Sequence, residues 1–283
     1  MISIVLVTCN RIGLLKQCVD NVLTRISEET TQIVIWNNAS DDGTKEFLDS
    51  LAIPGLEVVH HPENIGTNAF ARAFRRCTGK YFIELDDDVI DAPEGWDRQM
   101  RDAFAKIPQM GFLAANCVND GKSRASELLY HRDAHLYHKE YVAGVNILVG
   151  PTGGWCTMTS RAIYDEVDGF SENPKFNFWH EDGAYAKKVQ EAGYRFALLD
   201  DVKVFHASGP AYSRSNVIAK EKRKYYSWRG SRRLFRHRVK LLINTFPFMK
   251  KLNQKFGWYR IVREHAVKPV SYTHLTLPTI YSV

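Results

Sequence analysis

The chain has no long hydrophobic run. Nothing in its 283 residues approaches the ~18 consecutive apolar residues of a spanning helix, so no transmembrane segment is expected. The first residues, Met1-Ile2-Ser3-Ile4-Val5-Leu6-Val7, lack the basic start and small-residue cleavage site of a signal peptide. They read as a first strand. Cysteine is sparse. Cys9, Cys18, Cys77, Cys117 and Cys156 are odd in number, widely spread and free of C-x-x-C spacing. That pattern argues against a zinc site and for reduced thiols in a cytosolic protein. No internal repeat is present. Residues 270–283 (VSYTHLTLPTIYSV) contain no Lys, Arg, Asp or Glu. They look like translated adapter or vector sequence, in which case the natural C-terminus could be missing, and they are set aside from fold reasoning.

What is present is ordinary in bulk and uneven in distribution. Charged residues at 25% and hydrophobic residues at 45% suit a soluble globular protein of one large or two small domains. The net charge of +6 hides an asymmetry. Residues 214–265 hold sixteen Lys/Arg against Glu221 and Glu264, a local charge of +14 that leaves −8 for the remainder. Aromatic residues are interleaved with these cations, as in Lys220-Glu221-Lys222-Arg223-Lys224-Tyr225-Tyr226-Ser227-Trp228-Arg229. Such a tail reads as a helix on an anionic membrane, as a solvated helical face, or, as the weakest of the three, as a nucleic-acid contact.

Strand and helix patterns alternate through the first half. Strands are expected at Ile2–Thr8, Gln32–Trp36, Leu56–His60, Tyr81–Leu85 and Gly111–Cys117. Helices are expected near Ile12–Leu23, Lys45–Leu51, Thr67–Cys77 and Trp96–Ile107. This order predicts an α/β protein with a mostly parallel, Rossmann-like sheet covered by helices on both faces. In the second half Val142–Val149 reads as a strand, Pro151–Gly154 as a loop and Ser160–Val167 as a short helix. Glu181–Ala192 reads as a helix, with strands at Arg195–Leu199 and Val202–Phe205.

Ligands of such sheets bind beyond the carboxyl ends of the strands, and polar residues cluster at those ends. Asp86-Asp87-Asp88 follow the apolar run Tyr81–Leu85. Three adjacent carboxylates cannot be buried without a counter-charge. Residues i and i+2 of an extended segment point the same way, so Asp86 and Asp88 could share one divalent cation while Asp87 turns elsewhere. The alternative is a solvated acidic turn. Asn37-Asn38-Ala39-Ser40-Asp41-Asp42-Gly43-Thr44 is a turn-rich loop. Asn64-Ile65-Gly66-Thr67-Asn68 precedes a helix and suits either an anion or a simple cap. His131, His135 and His138 could share a helical face, but a plain loop is the better reading. Trp155, Phe178 and Trp179 could stack on a ligand's rings or belong to core and rim.

Taken in order, Thr8-Cys9-Asn10-Arg11, N-N-A-S-D-D-G-T (Asn37–Thr44), N-I-G (Asn64–Gly66) and G-K-Y-F-I-E-L-D-D-D (Gly79–Asp88) resemble the family 2 glycosyltransferases of GT-A fold. Gly153, Gly154 and Cys156, then Gly169-Phe170, Glu181-Asp182, Gly193-Tyr194 and His206 continue the likeness to about residue 210. The resemblance implies a catalytic domain over 1–210, with a nucleotide-sugar half (1–117) and an acceptor half (118–210). A basic aromatic helical tail (211–269) and the read-through stretch 270–283 would follow.

It also implies roles. Thr8, Asn10, Arg11, Asn37, Asn38, Asn64, Gly66, Asp86 and Asp87 would bind the nucleotide sugar, with Asp42 bracing its loop. Asp88, Asp86 and His206 would hold Mn²⁺ or Mg²⁺, Asp88 most directly. Asp182, or its neighbour Glu181, would be the general base of an inverting transfer. Gly153, Gly154 and Trp155 would face the acceptor. The family usually carries an acid at or beside Asn37. Here two amides replace it, which leaves UDP, dTDP and GDP donors open.

The expected acceptor is a glycan or lipid-linked glycan of the cell surface. The protein would be cytoplasmic and peripheral to the membrane through residues 220–265. A nucleotide-sugar-forming nucleotidyltransferase would need a Gly-rich basic loop after the first strand, whereas Thr8–Arg11 offers one Arg and no glycine before Gly13. A non-catalytic nucleotide-sugar-binding protein of the same fold would not need Asp86, Asp88, Asp182 and His206 together.

Overall fold

Strand β1 (Ile2–Thr8) is buried along almost its whole length, as a continuous apolar run must be when neighbours cover both faces. β2 (Thr30–Asn38) and β4 (Tyr81–Asp86) flank it in parallel, and β3 (Leu56–His61) lies parallel outside β2. The computed structural model describes residues 1–118, 137–150, 152–172, 181–207 and 248. All of these except Phe248 fall in one compact unit of the chain. The expected tail (Phe248 apart), residues 270–283, His131, His135, Phe178 and Trp179 lie outside the described residues.

Among the described residues the sheet has ten strands. β9 (Cys156–Ser160) enters antiparallel between β4 and β6 (Met110–Val118). β10 (Arg195–His206) runs parallel to β6. The hairpin β7 (His138–Val142) and β8 (Val145–Val149) completes that side, and short β5 (Val89–Asp91) pairs with β10. Helices α1 (Ile12–Asn21), α2 (Thr44–Asp49), α3 (Asn68–Phe74), α4 (Trp96–Lys106), α5 (Arg161–Glu166) and α6 (Glu181–Glu191) flank it.

The first half follows the sequence reading closely, and the second half departs from it in three places. β9 is a strand in the stretch left unassigned between the expected loop and helix. Its first four residues, C-T-M-T, alternate apolar and polar side chains, but the run is short and all four are buried. Val142–Val149 is not one strand. Ala143 (φ 52°) and Gly144 (φ 83°) form a two-residue turn in left-handed conformation, the geometry that matches hairpin twist. The two strands expected within 195–205 are a single β10 with a register irregularity between Leu199 and Lys203. There Asp200 accepts from Asn116 (2.9 Å).

Two devices fix the frame. Asp97, fully buried, accepts from Ser27 N (2.8 Å), Ser27 Oγ (2.7 Å) and Thr30 Oγ1 (2.7 Å), locking α4 to the start of β2. An aromatic column ties α3 to α6. Phe74 stacks on Phe170 (4.6 Å between centroids), and Phe170 stacks on Tyr185 (4.4 Å). Such stacks add about 0.5–1.5 kcal/mol each beyond their burial.

Candidate active site

Parallel register sets the strand ends in a row. Thr8 pairs with Asn37 and Asn37 with His60, while Asn38 pairs with His61 and Val7 with Asp86. The residues at these ends fall into two groups. One holds the loops together, and the other gathers around the acidic triplet.

Asn37 and Asn38 belong to the first group. Each is buried. Asn37 Nδ2 meets His60 Nδ1 (3.0 Å) and its Oδ1 accepts from Ser40 N (3.0 Å). Asn38 donates to Asn64 Oδ1 (2.9 Å) and Gly66 O (3.1 Å) and accepts from Ile65 N (3.0 Å). Their amides thus stitch the β2 end to the Asn64–Gly66 loop. Asn10, at φ 54°, takes the left-handed conformation that Asn tolerates. It accepts from Asp41 N (2.8 Å) and gives its own N–H to Ser40 Oγ (3.0 Å). Asp42 caps two helices. Its Oδ2 accepts from Ile12 N (3.0 Å) and its Oδ1 from Thr44 Oγ1 (2.5 Å) and Thr44 N (3.2 Å). Burial opposes ionisation there, but bonds from Thr44 and Ile12 outweigh it and hold the carboxyl below its usual range.

The acidic triplet divides as extended geometry requires. Asp87 turns inward, accepts from Thr8 Oγ1 (2.8 Å) and pairs with Arg11 Nη1 (2.8 Å). Thr8 is 1% exposed, so its hydroxyl serves Asp87. Burial pushes Asp87 up, against the pull of Arg11. Asp86 and Asp88 share His206, whose Nε2 lies 2.9 Å from Asp88 Oδ1 and 3.4 Å from Asp86 Oδ2. The other oxygen of Asp88 meets Arg11 Nη2. Burial alone would raise Asp88, but His206 and Arg11 hold it well below the carboxylate range. Burial disfavours a charged imidazole at His206, yet Asp88 and Asp86 push it up to about 10.

One ligand atom from each of Asp86, Asp88 and His206 lies within 4.8 Å of the others. Two carboxylates and an imidazole brought together at the strand ends form an O,O,N donor set able to hold a divalent cation.

β9 brings the second acidic group alongside. Gly154 N donates to Asp182 Oδ2 (3.0 Å), and Gly183 N donates to Asp182 Oδ1 (2.5 Å). The next residue, Trp155, accepts from Asp86 N through its carbonyl (2.9 Å). Two consecutive residues thus connect Asp182 to Asp86. The Trp155 side chain, expected on the acceptor side, is buried. It donates to Ala115 O (2.9 Å) and stacks on His206. Gly153 O accepts from Thr157 Oγ1. Glu181 has one buried oxygen without a partner, and burial and Asp182 push it up to about 8.

The sequence reading missed Glu84. It sits in the apolar run of β4 yet is 1% exposed with neither carboxyl oxygen bonded. Burial, Glu181 and Asp182 push it well above the usual range. Its carboxyl lies against Gly154, where a Cβ would meet Glu84 Oε1 at 2.3 Å. A charge interrupting a strand of otherwise apolar residues was the available signal.

The fold and this site define an α/β protein with polar residues gathered at parallel strand ends and a candidate divalent-metal centre. The model for glycosyl transferase family 2 matches residues 3–168, more than half of the chain, and the chain belongs to that family. Among solved structures it is similar to the mannosyltransferase PcManGT from Pyrobaculum calidifontis, in complex with GDP-Man and Mn²⁺. That match has 18% identity and a TM-score of 0.53, over 73% of this chain and 56% of that one. GalNAc-T7 with UDP, GalNAc and Mn²⁺ gives 17% and 0.55, over 73% and 43%. S. aureus TarS 1–349 gives 14% and 0.53, over 75% and 61%. At such identities the likeness is one of fold, and the chain spans less than two thirds of each of these structures. No curated protein matches the chain. The architecture is the GT-A fold that the motif order implied.

Proposed function

We propose that this protein is an inverting glycosyltransferase that moves a sugar from a nucleoside diphosphate sugar to a hydroxyl acceptor. The observation that carries the reading is the two-residue link between the Asp86–Asp88–His206 cluster and Asp182. It supports reading Asp182 as the general base and the cluster as the centre that holds the diphosphate. A cation held by Asp88, Asp86 and His206 would offset the charge developing on the leaving diphosphate.

The chain's own groups do the rest. Arg11 supplies a cation at the same edge, and Asn10, Asn64 and Gly66 shape the loops around the nucleotide. Gly154 N–H and Gly183 N–H orient Asp182. One Asp182 oxygen takes the acceptor's hydroxyl proton as that oxygen attacks the anomeric carbon and the bond to the diphosphate breaks. Attack opposite the leaving group gives inversion. Such base catalysis is worth ~10²–10⁴-fold.

Similarity to structures holding GDP-Man and UDP supports a UDP, dTDP or GDP sugar as donor, hexosyl or deoxyhexosyl in type. The acceptor in this reading is a growing cell-surface glycan on a lipid carrier, reached from the cytoplasmic membrane face. The basic composition of residues 220–265 supports that placement. Among the described residues no helix is long and apolar enough to cross a membrane.

The test is a thermal-shift panel of UDP, GDP and dTDP sugars with Mn²⁺ and Mg²⁺, followed by turnover of the stabilising donor. Asp182→Asn should keep the shift and lose at least about 100-fold in transfer. Stabilisation by no nucleotide with either metal would sink the assignment, and full turnover in Asp182→Asn would remove that residue from the role.

A further inference from the structure

The carboxylate expected to hold the metal most directly has no free oxygen. Asp88 Oδ1 faces His206 Nε2 at 2.9 Å, and Asp88 Oδ2 faces the Arg11 guanidinium. Asp86 differs. It is the most exposed of the three acids, with a side chain 35% accessible against 4% for Asp87 and 8% for Asp88. The contact that closes Asp88 is the Arg11 fork, which bridges two consecutive carboxylates with one nitrogen on each.

Each acid has one partner besides Arg11: Asp87 is also held by Thr8 Oγ1 and Asp88 by His206 Nε2. With the guanidinium turned away, both keep that partner and Asp88 Oδ2 is freed beside the exposed Asp86. Arg11 can turn. Its side chain is 25% exposed, and its backbone stands at the mouth of α1 in a non-helical conformation, φ −140°, ψ 34°. The base of the residue is fixed, because Arg11 O accepts from Leu14 N (2.9 Å) and Leu15 N (3.0 Å). A guanidinium binds carboxylate and phosphate with the same bidentate geometry.

We propose that Arg11 is a displaceable internal cation, which covers Asp88 in the metal-free protein and moves onto the donor's diphosphate when a divalent ion binds. This rests on the glycosyltransferase reading above and adds a coupling to it. Arg11 opposes metal binding when the ion arrives alone and assists it when a nucleoside diphosphate is present. Linkage makes the effect reciprocal, so the ion must raise nucleotide affinity by the factor by which nucleotide raises ion affinity.

The experiment is calorimetric titration of the full chain with Mn²⁺ alone, with UDP or GDP alone, and with both. It is run on the wild type, Arg11→Met and Arg11→Lys. In Arg11→Met, Mn²⁺ alone should bind about tenfold more tightly than in the wild type, and the mutual enhancement between ion and nucleotide should shrink by about tenfold. Arg11→Lys keeps the charge but cannot fork across two carboxylates, so it should lie between the two. It decides the matter if the Met variant fails to fold around buried Asp87. The proposal is overturned if removing the fork leaves both the Mn²⁺ affinity and the enhancement unchanged while wild-type protein binds ion and nucleotide. Failure of every protein to bind Mn²⁺, with or without nucleotide, would instead overturn the metal-dependent reading itself.

Discussion

The indole of Trp155 lies over the imidazole of His206, with ring centroids 6.4 Å apart and planes 27° apart. The same residue holds Asp86 N through its carbonyl and anchors itself on Ala115 O. It therefore sets the position of two of the three candidate metal ligands. Outer-shell partners of this kind typically govern ~10–100-fold in metal affinity. Trp155→Leu should lose about tenfold in Mn²⁺ affinity by titration, and Trp155→Phe, which retains a ring, should lose less. Equal affinities in all three proteins would mean that the stacking does not orient His206.

Glu84 bears on stability. A buried carboxyl without a hydrogen bond costs about 1–3 kcal/mol, and Glu84 has neither oxygen bonded. Glu84→Leu should accordingly unfold at higher denaturant concentration than the wild type, by about that free energy. A less stable Leu variant would show that the carboxyl is satisfied in solution.

Gly154 and Glu84 should also be coupled. Gly154→Ala forces a methyl into the Glu84 carboxyl and should cost about 1–3 kcal/mol. In a Glu84→Ala background the same change should cost distinctly less, because the opposing atoms are gone. A double-mutant cycle measures this, and strict additivity would contradict the contact.

Glu181 gives the pH dependence. Its pKa rises from 4.5 to about 8 on folding. Above 4.5 the unfolded chain has released a proton that the folded chain keeps, so raising pH favours unfolding until about 8. Stability should therefore fall across that window, with a slope from this group of at most about 1.4 kcal/mol per pH unit. Glu181→Gln should reduce the slope, leaving the part that Asp87 and Glu84, also raised by burial, supply. Denaturation midpoints measured from pH 5 to 8 on both proteins decide the point, and parallel curves would exclude Glu181 as the source.

Asp42 carries two caps. Asp42→Ala frees Ile12 N and Thr44 together, and lost caps cost about 0.5–2 kcal/mol each. A loss no larger than that of Thr44→Ala, which spares the Ile12 bond, would mean that only one cap matters.

The first four parallel strands and the residues at their ends were legible because each strand is a short apolar run followed at once by polar residues. The inward turn of Asp87 also followed from extended-chain geometry. The internal work of Asn37, Asn38 and Thr8 was not legible. An amide or hydroxyl at a strand end looks the same whether it faces a ligand or a neighbouring loop, and only the partners tell. β9 hid for a different reason. Its alternation C-T-M-T runs for only four residues, too short to stand out from a loop. Glu84 was lost inside an apolar run because pattern reading averages over a segment, whereas a single carboxyl acts alone.

Antiparallel β9 also has a consequence for how the protein comes into being. β4 pairs with it across more than seventy positions, Leu85 with Cys156 among them, and His206 reaches Asp88 across 118. Contacts so far apart in sequence close late, since loop entropy must be overcome before they contribute. A chain emerging from synthesis completes β1 to β4 while the strand that seals them, and the histidine that faces their acids, do not yet exist. If the Asp86–Asp88–His206 cluster holds a metal, competence to bind it would report that β10 has docked. In a refolding experiment it should appear with the slowest phase, after β1 to β4 have formed.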